Sequence, residues 1–198
     1  NANTVTSNVV TEAVGSPLTR ANTQFGELQG VGTDYFSTPN VVTTWGELDV
    51  RTRAQLNSFP NNWAFISNKN GVFYLVVLPQ GASNFLQFRV YTSTGMRSYS
   101  SIQFPVSVAG VRNWYRSTYN PATGDVKFFT ADGNLEAPAI SDYVQHGSTL
   151  NTGAGAIVVN TGDFFVGSLG GSAMYVVDGR IYRAQVFNEI DGTTPVVD

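Results

Sequence analysis

The sequence predicts an all-β protein built as a two-sheet antiparallel β-sandwich. Short runs that alternate apolar and polar residues follow one another, turn residues separate them at close spacing, and helical periodicity is almost missing. A chain of 198 residues suits one domain with a substantial core. Only 13% of the residues are charged, against about 25% in an average globular chain. Gly, Ser, Thr and Asn take their place, as is common where a chain needs many turns.

The clearest alternation lies in residues 44–56. Leu48 and Val50 fall on one face of the predicted strand, whereas Glu47, Asp49 and Arg51 fall on the other, because side chains two residues apart share a face. The pattern therefore predicts that the charged side chains form a ladder on the protein surface.

Two loops are typical of β-hairpins. Residues 68–71 read NKNG and separate the strand candidates 63–67 and 72–78, while residues 120–125 read NPATGD between the candidates 112–119 and 126–130. The run 72–78 is apolar throughout, which predicts a central strand buried on both faces.

The remaining strand candidates are less regular. Residues 85–91 alternate strongly and residues 96–104 form a more polar strand, while residues 25–26 and 35–39 resemble the opening strands of laminin-G-like domains. Residues 135–155 carry little pattern, and we expect a short helix near 140–145. The inward positions of these strands predict a core between the two sheets that contains Leu48, Val50, Phe73, Leu75, Val77, Leu86, Phe88, Val90, Val126, Phe128, Ala184 and Val186.

The C-terminal region carries a more specific signal. Residues 163–171 read DFFVGSLGG, which predicts a strand and a glycine turn, and residues 179–188 read GRIYRAQVFN, which predicts a final strand with alternating faces from Ile181 to Phe187. This order resembles the closing strands of laminin-G-like, concanavalin A-like domains, and most of all those in tail or other virion proteins of bacteriophages.

The resemblance covers residues 18–192 and implies the jelly-roll form of the sandwich. Residues 1–17 then form an N-terminal arm or linker, and residues 193–198 a C-terminal tail. Because the chain opens on Asn1 without Met, we expect it to be an excised or processed part of a longer protein.

Composition argues against several classes of function. A net charge of −3 and the lack of a basic stripe argue against nucleic acid as a partner. The chain has no cysteine, which excludes disulfides and thiolate metal sites. No apolar run reaches the roughly 18 residues of a membrane span, so we expect no membrane insertion.

The sequence offers weak candidates for catalysis, and we expect no enzymatic activity. Glu47 and Asp49 form the one spaced carboxylate pair of interest, since some glycosidases of this fold carry such a pair on a strand, but Arg51 and Thr52 occupy the positions that would hold a further carboxylate. His146 is the single histidine and lies in the least patterned region, with no nucleophile motif in the chain.

A structural calcium ion is the one cofactor that the resemblance suggests, since many laminin-G-like domains hold one at the rim of the sandwich. Calcium takes carboxylate and carbonyl oxygens from loops. The acidic turn residues that could supply them are Asp34, Asp125, Asp132, Asp163 and Asp178.

Exposed aromatic rings beside amide and charged side chains are the surface chemistry that suits a glycan, which stacks on a ring and hydrogen-bonds through its hydroxyls. We expect any such site at the loop rim or on an outward sheet face, since the inward positions are filled by large apolar side chains. The candidates are Asn61, Asn62, Trp63, Gln87, Arg89, Tyr91 and Tyr99.

Three functions remain open at this stage. The resemblance favours a non-enzymatic module on the surface of a virion, in a phage tail or capsid, used for assembly with other virion proteins, for self-association, or for adhesion to host-surface glycans. The alternative is a carbohydrate-binding module of a larger secreted enzyme or adhesin, and a glycoside hydrolase is the third.

The arm supplies a first test. Residues 1–17 contain too few apolar side chains to offset the entropy cost of ordering them. Deleting them is expected to lower the melting temperature by less than about 5 °C while weakening attachment of the domain to its neighbours. A larger fall in differential scanning calorimetry would show that the arm packs on the sandwich.

Overall fold

The part of the chain that the structure describes forms two six-stranded antiparallel sheets. A computed structural model describes residues 27–28, 36–38, 42–57, 64–80, 83–93, 97–103, 109–167, 169 and 178–198. Its strands are β1 (Glu27–Leu28), β2 (Phe36–Thr38), β3 (Leu48–Leu56), β4 (Ala64–Lys69), β5 (Phe73–Gln80), β6 (Ser83–Tyr91), β7 (Arg97–Gln103), β8 (Arg112–Asn120), β9 (Asp125–Asp132), β10 (Val144–Asn151), β11 (Phe164–Val166) and β12 (Gly179–Phe187).

Strands far apart in the chain lie side by side in each sheet. Sheet A has the order β1-β12-β3-β8-β9-β10, and sheet B has the order β2-β11-β4-β5-β6-β7. The predicted all-β sandwich is therefore confirmed. None of the described residues forms a helix long and apolar enough to cross a membrane.

The core lies between the two sheets and contains the predicted side chains. Eleven of them are almost fully buried: Leu48, Val50, Phe73, Leu75, Val77, Leu86, Phe88, Val90, Val126, Phe128 and Val186. Ala184 faces the same side, opposite Thr52, but is only half-buried. The run 72–77 is buried on both faces, as predicted for a central strand.

A β-bulge changes the predicted alternation of β12. Ile181 lies opposite Ala54, and Arg183 lies opposite Arg53, so Tyr182 is the extra residue. Ile181 therefore joins Val186 in the core, five positions away. The prediction that Tyr182 shares a face with Ala184 is wrong, because its hydroxyl donates a hydrogen bond to Gln55 Oε1 (3.0 Å) on the other side of the sheet.

Both predicted hairpins are present. The turn after β4 places Gly71 at φ 74°, and the turn between β8 and β9 places Gly124 at φ 78°. A side chain at Gly124 would also lie 2.2 Å from the backbone carbon of Gly153, so only glycine fits there. Strands β11 and β12 lie in different sheets, and most of the glycine-rich stretch between them lies outside the described residues.

The poorly patterned region forms one short turn of helix and a strand. A 3-10 helix spans Ile140–Asp142, closed by Ala139 N–H donating to Asp142 Oδ2 (2.8 Å). It ends before the edge strand β10, which pairs with β9. The strand was not predicted because most of its side chains are exposed, which removes the apolar alternation.

The residues predicted as a C-terminal tail pack on the sandwich. Val196 and Val197 contact the core and exchange backbone hydrogen bonds with Val186, of 2.7 and 2.9 Å. Arg183 pairs with the carboxylate of Asp198. The packed part of the chain therefore extends beyond residue 192.

Removing this packing should cost stability. Replacing Val196 and Val197 together by Ser is expected to cost about 2 kcal/mol through lost apolar burial, which lowers the melting temperature by roughly 4–8 °C. Deleting Asp198 alone is the control, because it removes one partly exposed ion pair, worth about 1 kcal/mol or less. Equal effects in thermal unfolding would contradict the proposed packing.

Candidate functional site

The outer face of sheet A, the side turned away from sheet B, carries a buried ionic network. Asp49 is fully buried and accepts hydrogen bonds from Arg116 Nε (2.9 Å) and Nη2 (2.8 Å) and from Arg51 Nη2 (2.7 Å). Arg51 and Arg116 are themselves almost fully buried. The prediction of a surface ladder of charges is therefore wrong: β3 carries its charges under other parts of the chain.

Arg116 connects this network to the surface. Its Nη2 also pairs with the carboxylate of Asp191, whose side chain is 57% exposed. Burial lowers the pKa of Arg116, but the hydrogen bonds and charges of Asp49 and Asp191 outweigh burial and raise it above its ordinary value. The guanidinium therefore stays charged and fixed in position.

Aromatic rings and a covering loop complete the burial. The Arg51 guanidinium lies 3.8 Å from the centre of the Phe187 ring, and that of Arg116 lies 4.7 Å from the Phe129 ring. Residues 133–143, here called the roof loop, cross above β3 and β8. They accept hydrogen bonds through the carbonyls of Gly133 (from Arg53 Nε, 2.7 Å) and Leu135 (from Trp114 Nε1, 2.8 Å).

A second segment, the C-terminal turn of residues 188–192, covers the same face from the side of β12. The backbone N–H of Ile190 donates to Glu47 Oε2 (2.9 Å), and that of Asp191 donates to Asp49 Oδ2 (3.2 Å). Arg51 Nη2 donates to the carbonyl of Gly192 (3.1 Å). Both carboxylates of the Glu47–Asp49 pair therefore hold this turn.

Between the roof loop and the C-terminal turn, part of sheet A stays open as a groove. This sheet A groove has a volume of about 280 Å³. Its floor comes from outward positions of β8 and β9, and Ile140 on one side and Ile190 on the other form its walls. The floor and rim residues are Arg116, Thr118, Asn120, Asp125, Lys127, Phe129, Gln145 and Asp191.

The groove combines one aromatic surface with many hydrogen-bonding groups. Phe129 and the two isoleucine walls are apolar, whereas Thr118, Asn120 and Gln145 offer hydroxyl and amide groups. Asn120 is fixed, because its Nδ2 donates to Glu47 Oε1 (2.9 Å). Such a lining suits a ligand that has apolar faces and a rim of hydroxyls.

Three of the glycan candidates predicted from the sequence share the outer face of sheet B. Gln87, Arg89 and Tyr91 all project from β6, and Arg89 Nη2 donates to Gln87 Oε1 (3.1 Å). The Tyr91 ring meets the edge of the Tyr74 ring, with 5.6 Å between centres, and Gln87 is only 7% exposed. These contacts take up part of the surface that was expected to face a ligand.

The structure says less about the other glycan candidates. Tyr99 lies opposite Arg89 on the neighbouring strand β7. Asn61, Asn62 and Trp63 lie outside the described residues. Gln87, Arg89 and Tyr91 are thus on the outer face opposite to the sheet A groove, and glycan contact by the predicted set stays a prediction.

The acidic candidates for calcium are dispersed. Asp125 and Asp132 lie at opposite ends of β9, and Asp163 and Asp178 precede β11 and β12, in different sheets. Among the residues that the structure describes, no three His, Asp or Glu side chains are grouped to hold a metal ion. Asp34 lies outside the described residues, and a calcium site stays a prediction.

His146 contacts a neighbouring strand of sheet A. Its Nε2 lies 2.7 Å from Thr130 Oγ1 across β9 and β10, and burial lowers the pKa of the ring. Among the described residues, no carboxylate contacts the imidazole, so the partners of a catalytic triad are not assembled around it.

The floor of the groove could have been predicted from the sequence, although only Asp125 was singled out there, as a candidate for calcium binding. The NPATGD turn sets the register of β8 and β9, with Asn120 opposite Asp125 and Thr118 opposite Lys127. Period-two alternation then places these side chains together on the outer face. The walls could not be found this way, because residues 140 and 190–191 belong to no regular pattern.

Comparisons with known proteins identify the fold. No family model matches the chain, and no curated protein matches it. Among solved structures, domains LG4-5 of the mouse laminin α1 chain match with a TM-score of 0.50 and 15% identity, covering 93% of this chain and 49% of that one.

Two further structures share the fold. The CBM40 domain of a Ruminococcus gnavus sialidase, bound to α2,3-sialyllactose, matches with a TM-score of 0.53 and 15% identity, over 74% of this chain and 77% of that one. Tailspike protein 2 of an Escherichia coli O157:H7 bacteriophage matches with a TM-score of 0.53 and 10% identity, over 81% of this chain and 22% of that one. The chain therefore has the laminin-G-like, concanavalin A-like fold that its closing strands predict.

The buried carboxylate of Asp49 gives a stability prediction. Asp49→Asn is expected to cost about 3–5 kcal/mol, because it leaves two buried guanidinium groups short of their counter-charge, and to lower the melting temperature by roughly 6–20 °C. This replaces the near-neutral effect that an exposed position would have.

Glu136→Gln is the matched control, since Glu136 is also paired with an arginine, Arg53, but its side chain is 76% exposed. It is expected to cost about 1 kcal/mol or less. Urea unfolding of both variants measures the difference, and similar midpoints would mean that the Asp49 network does not hold the outer face.

Proposed function

We propose that this domain is a non-enzymatic glycan-binding module of a virion surface protein, in a phage tail or capsid, that takes part in adhesion to the host surface. The sheet A groove is the site. The observation that carries the proposal is that a groove of about 280 Å³ lies open between two segments that cover part of the sheet A face, with an aromatic ring and hydroxyl and amide groups along one floor.

The geometry of the groove suits a saccharide better than a compact apolar ligand. Its floor is a sheet, so neighbouring side chains stand about 4.5–5.5 Å apart, and several of them can therefore hydrogen-bond different hydroxyl groups of one saccharide. Phe129 and Ile140 provide an apolar surface on which the face of a sugar ring can pack. The side-chain amides of Asn120 and Gln145 can both donate and accept hydrogen bonds.

The comparisons support this proposal at the level of the fold. One matching structure is a carbohydrate-binding domain with sialyllactose bound, and another is part of a phage tailspike. This chain spans about a fifth of that tailspike chain, so the proposal concerns adhesion by one module and takes no activity from the longer protein. A carbohydrate-binding module of a larger secreted enzyme or adhesin is the alternative.

The absence of catalysis is proposed from the state of the carboxylates. Glu47 and Asp49 are engaged in holding Asn120 and the C-terminal turn. Asp191 pairs with Arg116 at the rim of the groove, and Asp125 accepts a hydrogen bond from Asn151 Nδ2 (2.9 Å). Hydrolysis needs two carboxyl groups that are free to face one glycosidic bond.

Multivalency follows from the size of the site. A groove that covers one or two sugar rings binds weakly, and many copies on one particle raise the effective affinity by orders of magnitude, about 10²–10⁴ for linked sites. Partners within the particle are other virion proteins or further copies of this chain, and residues 1–17 are the proposed attachment segment.

A glycan array with the domain multimerised on streptavidin tests the proposal. The wild type is expected to bind a defined set of glycans, and the double variant Lys127→Ala/Gln145→Ala is expected to lose about tenfold or more of this signal, since it removes two hydrogen-bonding side chains from the groove. The melting temperature should change by less than about 2 °C, because both side chains lie at the surface.

The double variant Arg89→Ala/Tyr91→Ala, on the outer face of sheet B, is the matched control and should keep the signal. Loss of signal in this control alone would move the site to sheet B. No signal for any glycan would contradict the glycan-binding function and leave a role in assembly.

Incubating each bound glycan with the domain tests the absence of catalysis. Reducing-sugar release is expected to stay at the level of buffer. Release that disappears in Asp125→Asn would contradict the proposal and make the domain a glycoside hydrolase.

A further inference from the structure

Lys127 places a cation without an ion-pair partner among the described residues in the sheet A groove. It lies on the floor, on β9 and opposite Thr118 of β8, and its ammonium group makes no ion pair or hydrogen bond with any residue that the structure describes. Asp125, two positions earlier on the same side of β9, directs its Oδ1 to Asn151 instead. The residue as a whole is half-buried, and an ammonium group with three free donors favours an anionic partner.

Arg116 offers a second set of donors at the same groove. Its Nε and Nη2 are occupied by Asp49 and Asp191, whereas its Nη1 makes no hydrogen bond within the described part of the chain. The side chain is 2% exposed and cannot turn away, because the bidentate contact with Asp49 holds it. The position of the free Nη1 group of Arg116 is therefore fixed.

Asp191 covers this arginine in a replaceable way. The Asp191 side chain is 57% exposed, while the backbone N–H of the same residue is bonded to Asp49. The turn is therefore anchored through the backbone, and the carboxylate can leave Arg116 without unfolding the turn. When it leaves, Asp49 alone faces the two cations Arg51 and Arg116, and Lys127 adds another positive charge nearby.

We infer that the sheet A groove selects saccharides that carry a carboxylate, which binds between Lys127 and Arg116 in the place that the Asp191 side chain covers in the free protein. This inference rests on the proposed glycan-binding function. An incoming carboxylate replaces the Asp191 carboxylate at Arg116 and accepts hydrogen bonds from both cations. A neutral sugar would leave Arg116 paired with Asp191, and it would leave Lys127 without a partner.

Titration calorimetry with matched probes tests the inference. The probes are 3′-sialyllactose against lactose, and trigalacturonate against the same trisaccharide with its carboxyl groups reduced to alcohols. At least one carboxylated probe is expected to bind about tenfold or more tighter than its neutral counterpart, as one charge-assisted hydrogen bond provides. The pair that shows the difference identifies the source of the carboxylate.

Variants of the two charged positions separate the contributions. Lys127→Ala is expected to reduce binding of the carboxylated probe to the level of the neutral one, and Lys127→Arg to restore most of it. Asp191→Asn is expected to raise affinity for the carboxylated probe several-fold, because it removes the competing charge. Asn also tolerates the φ of 63° found at this position.

Arg180→Gln is the matched control, since it removes an exposed cation at the far end of sheet A. It should leave the affinity for both the carboxylated and the neutral probe unchanged. Raising the salt concentration should weaken binding of the carboxylated probe more than binding of the neutral one.

The outcomes distinguish this inference from the proposed function. Equal binding of charged and neutral probes, or an equal loss for both in Lys127→Ala, would overturn the carboxylate preference and leave glycan binding in place. Binding that Asp191→Asn weakens would overturn the exchange at Arg116. No binding of any probe, together with an empty glycan array, would overturn both.

Discussion

The outer face of sheet A depends on one buried carboxylate. Asp49 accepts hydrogen bonds from two arginines and from the backbone of the C-terminal turn. A charge so deeply buried persists only when its partners satisfy it on every side. Strand β3, its neighbour β8 and the turn at residues 188–192 are thus held at one point, and the groove lies beside that point because the turn ends there.

The two outer faces of the sandwich are covered in different ways. On sheet B, aromatic and apolar side chains such as Tyr74 and Val76 pack together with Tyr91 and cover the strands directly. On sheet A, arginines lie flat against aromatic rings, and two irregular segments close over them. The roof loop and the C-terminal turn cover only part of the sheet A face, and the groove is the gap between them. On sheet B, neighbouring side chains pack together without loops between them.

The sandwich could be predicted from the sequence because its strongest signals are local. Alternation in β3 and β6 and the turns after residues 69 and 120 follow from period-two geometry and from glycine and asparagine chemistry, and the core between the sheets followed from them. The burial of Asp49 could not be predicted, since alternation gives the side on which a residue lies but not what covers that side. The bulge at Tyr182 and the edge strand β10 were missed for a related reason, because both depend on pairing with distant strands.

The candidate site divides in the same way. Its floor is set by one hairpin register, which a turn sequence specifies, and its walls come from residues 140 and 190–191, which tertiary contacts position. The floor can therefore form as soon as β8 and β9 pair, whereas the wall that carries Asp191 is added only when the last part of the chain docks on Asp49. During synthesis on the ribosome, a chain from which residues 188–192 have not yet emerged can form the β8–β9 hairpin but not this wall of the groove.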